Sequence, residues 1–545
     1  MKIPTFLILF LLFSVSFGQI PDKTKVISGT ERAFDKASKA IAMPAPGCAV
    51  GVSLNGESVF EKAFGLAEME HNIANTPLTI FESGSVAKQF TAAALVLLQQ
   101  DGKLDLDDPV RKYIPELPDY GSPLTIRHML NHAAGLRDWG AVMSLTGAGR
   151  GDRVIGQDLA FDVMTSQKAL DFTPGAEYSY SNSGYNLAAV IIERVSQKKF
   201  PEFVAERLFK PLGMTNSSWR DDYQRIVPGR ALAYSRQGAK APWRLDMPFM
   251  NVYGNGGMLT TVGDWLKWNA MLDTRSMGAS LVDELETQGV LNDGRKIPYA
   301  LGLRVSKYRN LPEVAHGGST AGYQTFLVRY PKAKVSVAVM CNGTSPSATS
   351  IARSVTDEIF GPFPPPVQPE SVNVPVEQLN KFVGLWRDEK THLDARTTID
   401  GGTLRVDGQP LRPVADGVFA IGQAKFTFKI GSSGKPSYLE VAADGDVSRF
   451  ILETEWKPTP AELAEFSGQW YSNEAQAGVS FVVEGDKAHI FQRPKTKLPL
   501  TPLYRDHFSA GDRVIWFTRN TKGKIERMHV GASRMRDMPF ERVRK

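Results

Sequence analysis

The stretch Phe81-Glu82-Ser83-Gly84-Ser85-Val86-Ala87-Lys88-Gln89-Phe90-Thr91-Ala92-Ala93-Ala94-Leu95-Val96-Leu97-Leu98 decides how this chain is read. Residues 85–100 contain no Pro or Gly, and 92–98 are apolar without a break. Such a segment predicts a helix apolar nearly all round, and therefore a buried one. Asp101-Gly102 ends it, with Gly102 suited to a left-handed C-terminal position. The spacing places Ser85 in the first turn and Lys88 on the same face three residues later. Burial disfavours a charged amine, so a neutral Lys88 can take the Ser85 proton. The positive end of the helix favours negative charge developing near Ser85. A capping serine and a snorkelling lysine would give the same letters. However, the helix around Lys88 offers little polar face.

Two more short motifs follow in order, Tyr180-Ser181-Asn182 and His316-Gly317-Gly318. Together the three point to serine acyl transfer. The surroundings carry a resemblance. Residues 81–90, Gly102-Lys103-Leu104-Asp105-Leu106-Asp107-Asp108-Pro109, the stretch 124–136, and Gly256-Gly257-Met258-Leu259-Thr260-Thr261 with Asp264-Trp265 are similar to motifs of one family. This family is the class C β-lactamase-like and penicillin-binding-protein-like serine hydrolases, a group that also holds DD-peptidases, D-aminopeptidases and related esterases. The resemblance covers roughly residues 25–360. It implies Ser85 as the acyl-forming nucleophile, with Lys88 and Tyr180 sharing the base and acid work. It implies that Asn182 holds the substrate amide or Lys88, and that His316 lies on a strand facing the serine. The backbone N–H groups of Ser85 and Ser319 would form the oxyanion hole. Gly317 and Gly318 would let substrate backbone approach that strand.

Other chemistries are disfavoured. The chain has no G-x-S-x-G elbow, so a Ser-His-Asp hydrolase is not expected. His128 and His132 are expected to be packed or hydrogen-bonded structural residues. The eight histidines are scattered, with no H-E-x-x-H and no C-x-x-C, so neither a metal nor another cofactor is expected.

The N-terminus carries Lys2, an uninterrupted apolar run over 6–13, and the small residues Ser16 and Gly18 flanking Phe17. It reads as a cleaved secretory signal, so the protein is expected to be secreted or periplasmic. Cys48 and Cys341 are the only cysteines, so no disulfide framework holds the fold. In the sheet the family resemblance implies, their strands are antiparallel neighbours, which permits a bond; two buried thiols are the expectation. The net charge is +6, and residues 500–545 alone carry eleven Lys/Arg against five Asp/Glu. That surplus is either a solvated face or an attraction to acidic cell-wall polymer or phospholipid. No nucleic-acid motif accompanies it.

At 545 residues, two to four domains are expected. Residues 24–43 read as an amphipathic helix. Segments 49–54 and 58–64 read as strands joined by the turn Asn55-Gly56. A mostly helical region runs to about 290. Strands return at 299–305, 314–316, 325–330 and 335–340, and a helix over 347–359 closes the unit. Strands at both ends with helices between predict an α+β fold, one antiparallel sheet flanked by helices. Residues 362–375 are Pro-rich and read as a linker. Beyond them lies a repeat. Leu379, Phe382, Gly384 and Trp386 recur 84 residues on, as Leu463, Phe466, Gly468 and Trp470. Pro413, Phe419, Phe428, Gly434 and Val441 recur 89 residues on, as Pro502, Phe508, Phe517, Gly523 and Val530. The second copy therefore holds a five-residue insertion, placed around 493–498. Two small all-β barrels are the natural closure. The expected division is signal 1–18, catalytic domain 19–361, linker 362–375, and barrels 376–456 and 457–545. This layout resembles the three-domain D-aminopeptidases, in which a loop of the last barrel reaches the cleft. The basic insertion at 493–497 is the candidate for such a loop, although an ordinary solvated hairpin is favoured.

The expected function is a secreted serine hydrolase of small peptides, amides or esters, of D-aminopeptidase or DD-peptidase type. The β-lactamases of the family carry Lys where this chain has His316, which weakens that reading. A carboxylesterase, a weak β-lactamase and a non-catalytic muropeptide sensor are the alternatives.

Overall fold

The computed structural model describes residues 20–148, 153–364, 370–432, 434, 436–443, 446–492 and 496–543. The expected signal segment, residues 365–369 of the linker and residues 493–495 of the insertion lie outside these.

Among the described residues, one sheet is built from both ends of the catalytic region. Its strands are β1 (Cys48–Leu54), β2 (Glu57–Phe64), β3 (Arg304–Tyr308), β4 (Leu311–Thr320), β5 (Tyr323–Tyr330) and β6 (Val335–Cys341). Their order is β3-β4-β5-β6-β1-β2, antiparallel throughout. Asn55 and Gly56 both have positive φ, 54° and 81°, as a two-residue hairpin requires. Val335, Val337 and Val339 of β6 share one core with the helices Lys23–Lys39 and Ala348–Phe360, the second of which packs directly on β6. Ala338 and Met340, which alternate with them, join the larger helical core on the other face. A strand covered on both faces reads as a near-continuous apolar run, as β6 does apart from Ser336.

Two expectations are corrected. Cys48 and Cys341 form a disulfide rather than two thiols. The register makes them direct partners on adjacent strands β1 and β6, which brings their Cβ atoms within bonding reach. The strand expected over 299–305 begins only at Arg304. Residues 300–303 turn tightly instead, with Ala300 N–H donating to Leu303 O at 2.7 Å. Gly302 there has φ 75°, and a Cβ on it would meet the Gln89 backbone nitrogen at 2.5 Å. The turn thus lies against the first residues of the catalytic helix. The helical middle region also holds several two- and three-residue strands, among them Phe81–Glu82, Ser218–Trp219 and Met258–Thr260.

The C-terminal region is all β. Among the described residues, nine strands between Gly384 and Glu453 form one sheet whose end strands, Gln409–Pro410 and Arg412–Ala415, are consecutive in the chain. The sheet therefore nearly closes on itself. Eight strands from Gly468–Ser472 to Met535–Arg542 form a closed barrel. The sequence repeat is visible in both cores. Phe382 meets Phe419 at 5.3 Å and Phe428 at 4.7 Å, and Trp386 meets Phe428 at 5.3 Å. In the second copy Phe466 meets Phe508 at 5.3 Å and Phe517 at 4.6 Å, and Trp470 meets Phe517 at 5.4 Å.

Candidate active site

The lead-in strand Phe81–Glu82 pairs with Leu259 and Thr260, and Ser83 N–H donates to Met258 O at 2.8 Å. Buried Glu82 anchors it through Arg220, with both N–H···O distances 2.9 Å, and through Arg230 at 3.2 Å. Gly84–Ala87 then forms one 3-10 turn, and the α-helix begins at Lys88 and runs to Gln100. Ser85 thus sits on the 3-10 turn just before the α-helix rather than inside it. Gly84 needs its φ of 51° here, because a Cβ would come within 2.6 Å of the Ser319 nitrogen.

Lys88 is fully buried and has three neighbours. Its Nζ lies 3.0 Å from Ser85 Oγ, 2.9 Å from Asn182 Oδ1 and 2.7 Å from the Asn255 carbonyl oxygen. Burial pushes its pKa well below the usual lysine value; Asp138 opposes this and Arg534 adds to it. A neutral amine has two N–H groups and one lone pair. Donation to the two carbonyl oxygens leaves the lone pair for the Ser85 hydroxyl.

Asn182 can offer its oxygen because its other end is held. Its Nδ2 and its backbone N–H both donate to Asp138 Oδ2, at 2.8 Å each. Asp138 in turn caps the helix Trp139–Met143 through its other oxygen. Burial raises the pKa of Tyr180 well above the ordinary phenol range, against the smaller opposing influence of the Ser85 hydroxyl. Behind it, the His132 ring lies 4.1 Å away between Tyr180 and Tyr299. His132 Nδ1 accepts from Ser181 N–H at 3.2 Å, so the residue is a structural prop, as expected. His128 completes a capping box with Thr125, also a structural role.

The third motif closes the cleft. A Cβ on Gly318 would lie 2.1 Å from the Ser83 carbonyl and 2.3 Å from Thr325 Oγ1, so only glycine lets β4 sit on the nucleophile turn. Strand β3 pairs with residues 311–315 of β4, leaving 316–320 with one edge free of β3. His316 Nδ1–H donates to Gly317 O at 2.6 Å, and Tyr299 O–H donates to Nε2 at 2.9 Å. Burial lowers its pKa to about 3, so the ring is neutral at physiological pH with both nitrogens occupied.

Ser85, Tyr180, Asn182, His316, Gly318 and Ser319 all line one cleft of about 880 Å³, with Lys88 directly beneath Ser85. Sequence reasoning missed Asp138, Asn255 and Arg534. Asp138 carried a visible cap signal before Trp139. Asn255 acts through its backbone carbonyl and leaves no mark in residue type. Arg534 belongs to the second barrel, at the turn before the strand Met535–Arg542. Its carbonyl accepts from Asp138 N–H at 2.9 Å and its guanidinium lies 4.8 Å over the Tyr180 ring. The barrel thus reaches the cleft through this turn. Of the basic insertion, the described Lys497 pairs with Glu484 at 2.6 Å and does not line the cleft. Among the described residues, Glu68, Glu70 and His71 are grouped closely enough to hold a metal ion, but none of them lines the cleft.

The profile of the Beta-lactamase family matches residues 35–359. A D-aminopeptidase of Gluconobacter oxydans is 26% identical over 522 residues, covering 92% of this chain and 96% of that protein. A D-aminopeptidase of Brucella anthropi is likewise 26% identical, over 527 residues with the same coverage. The octameric penicillin-binding protein homologue of Pyrococcus abyssi shares the fold, with a TM-score of 0.55 at 21% identity over 87% of this chain and 99% of its own. With the match covering well over half of its length, the chain belongs to the Beta-lactamase family and is a serine hydrolase of the acyl-transfer type.

Proposed function

We propose that this hydrolase is a secreted peptidase or amidase that cleaves small amide substrates, D-configured residues among them, through a Ser85 acyl-enzyme. The observation that carries this is the triply coordinated Lys88 amine, buried and aimed at Ser85 Oγ. Neutral Lys88 takes the Ser85 proton as Oγ attacks the amide carbon. The oxyanion is held by the N–H groups of Ser85 and Ser319, adjacent across the Gly84–Gly318 contact. Tyr180, kept protonated by burial, passes its proton to the leaving nitrogen as the C–N bond breaks and receives the proton held by Lys88, which returns the amine to its neutral form. Water then attacks the ester, giving its proton to Lys88, and the carboxylic acid leaves as Ser85 is reprotonated. Asn182 orients Lys88, and neutral His316 shapes the wall behind Tyr180 through Tyr299.

The D-preference rests on the relatives, which are D-aminopeptidases over nearly their whole length. Secretion is supported by the N-terminal apolar run and by the Cys48–Cys341 disulfide, a bond that persists in oxidising compartments. The test is a matched panel of D- and L-configured peptides, p-nitroanilides and p-nitrophenyl esters, with nitrocefin. The proposal expects kcat/KM on D-amides to exceed that on L-amides and nitrocefin. Turnover confined to esters would replace it with a carboxylesterase.

A further inference from the structure

An enzyme that selects a free amino terminus must offer an anion to the ammonium. Among the described residues, the carboxylates lining this cleft are Glu82 and Asp138. Glu82 is fully buried under Arg220 and Arg230. Asp138 spends one oxygen on Asn182 and the other on the N–H groups of Gly140 and Ala141. Neither is left for a substrate cation. The cations are placed differently. Arg220 is paired with Glu82, but Arg534 lines the cleft and, among the described residues, is in no ion pair with a carboxylate. Its guanidinium rests on the Tyr180 ring, beside the nucleophile.

The backbone turn that carries the exposed Arg534 side chain is anchored to the catalytic region. The Arg534 carbonyl is bonded to Asp138 N–H at 2.9 Å. Two residues on, Arg536 N–H donates to Asp171 Oδ1 at 3.0 Å and the Arg536 guanidinium pairs with Glu177 at 2.9 Å. The turn is therefore pinned to the catalytic region at Arg534 itself and two residues beyond it. Arg153 adds a second cation to the lining, with Met143 Sδ as its contact at 3.8 Å. His316 adds no charge of its own.

We propose that Arg534, delivered by the second barrel, binds a carboxylate of the substrate, so that the preferred substrate is a small peptide or acyl amide with a free carboxylate rather than a free amino terminus. A planar guanidinium takes a carboxylate with two parallel hydrogen bonds and discriminates strongly against a neutral amide. The proposal rests on the Ser85 acyl-enzyme reading and narrows its substrate class.

The test is protection of Ser85 from a neutral fluorophosphonate in the full-length protein by three small ligands: N-acetyl-D-alanine, N-acetyl-D-alaninamide and D-alaninamide. The acid is expected to protect at a concentration roughly tenfold or more below that of either amide, as a charge-assisted pair implies. In Arg534→Gln that ratio falls to within about threefold, and in Arg534→Lys it is partly restored. Better protection by D-alaninamide, no protection by the acid, or an unchanged ratio in Arg534→Gln overturns the carboxylate site while leaving the acyl-enzyme standing. A wild-type protein that takes no label at Ser85 removes the underlying reading itself.

Discussion

Asn182 faces Lys88 with its oxygen because Asp138 accepts from both its side-chain Nδ2 and its backbone N–H. In Asp138→Asn, an amide N–H₂ replaces one carboxylate oxygen, so either the helix cap or the grip on Asn182 is lost. Acylation should fall roughly 10–100-fold, the cost of a charged hydrogen bond. The pH profile separates this from general damage. Acylation by the wild-type protein rises with pH as Lys88 loses its proton, through a pKa well below the free-lysine value. The negative charge of Asp138 raises that pKa, so its removal moves the rising limb to lower pH. A limb that stays put or moves up would contradict the assignment. Ser85, Lys88, Tyr180 and Asn182 were legible because short motif spacing records them. Asp138 and Asn255 reach Asn182 and Lys88 across 44 and 167 residues of chain. No local pattern encodes such distances.

At the scale of elements, the catalytic geometry depends on how closely β4 docks on the turn carrying Ser85. Adjacent glycines of the third motif differ sharply. A Cβ on Gly318 would strike the Ser83 carbonyl at 2.1 Å, whereas one on Gly317 meets nothing nearer than Phe326 Cδ2 at 3.5 Å. Gly318→Ala should destabilise by about 1–3 kcal/mol, the cost of overpacking, and should nearly abolish labelling of Ser85 by separating the two oxyanion donors. Gly317→Ala should keep the wild-type melting temperature within experimental error. Equal behaviour of the two variants in thermal denaturation and labelling would rule out the docking argument. The helix 88–100 and the strands of the sheet were readable because apolar periodicity follows burial, and Asn55-Gly56 marked its hairpin. The 3-10 turn at Ser85 and the turn at 300–303 were not, since both are imposed by backbone contact with another element.

At the scale of the molecule, the second barrel is a wall of the catalytic site. Arg137 is buried beneath it, with Glu474 of the barrel at 2.7 Å and Asp171 at 3.6 Å. Glu474 also accepts from Lys168 N–H at 2.9 Å, and its carbonyl from Gln167 at 3.1 Å. Glu474→Ala leaves a guanidinium buried without its nearest partner, a change worth about 3–5 kcal/mol. Because the same docking surface carries the turn at Arg534, the variant should also lose acylation rate. Stability lost with acylation intact would show that the barrel supports the fold without shaping the cleft. The repeat that makes the two barrels was legible from the recurrence of Phe382, Trp386, Phe419 and Phe428 as Phe466, Trp470, Phe508 and Phe517. Which barrel loop meets the cleft was not legible. An insertion reports extra length, while the approach of Arg534 follows from the orientation fixed by Arg137 and Glu474.

A neutral Lys88 makes Ser85 Oγ the acyl-accepting atom. The most direct test of this is intact-mass and peptide-level mass spectrometry of the protein treated with a fluorophosphonate, alongside Ser85→Ala and Lys88→Ala. One adduct is expected, confined to the peptide containing Ser85. It should be absent in Ser85→Ala and form ~10²–10⁴ times more slowly in Lys88→Ala, the range for loss of a general base. An adduct that persists in Ser85→Ala, or one that forms at the wild-type rate without Lys88, would contradict this assignment of roles.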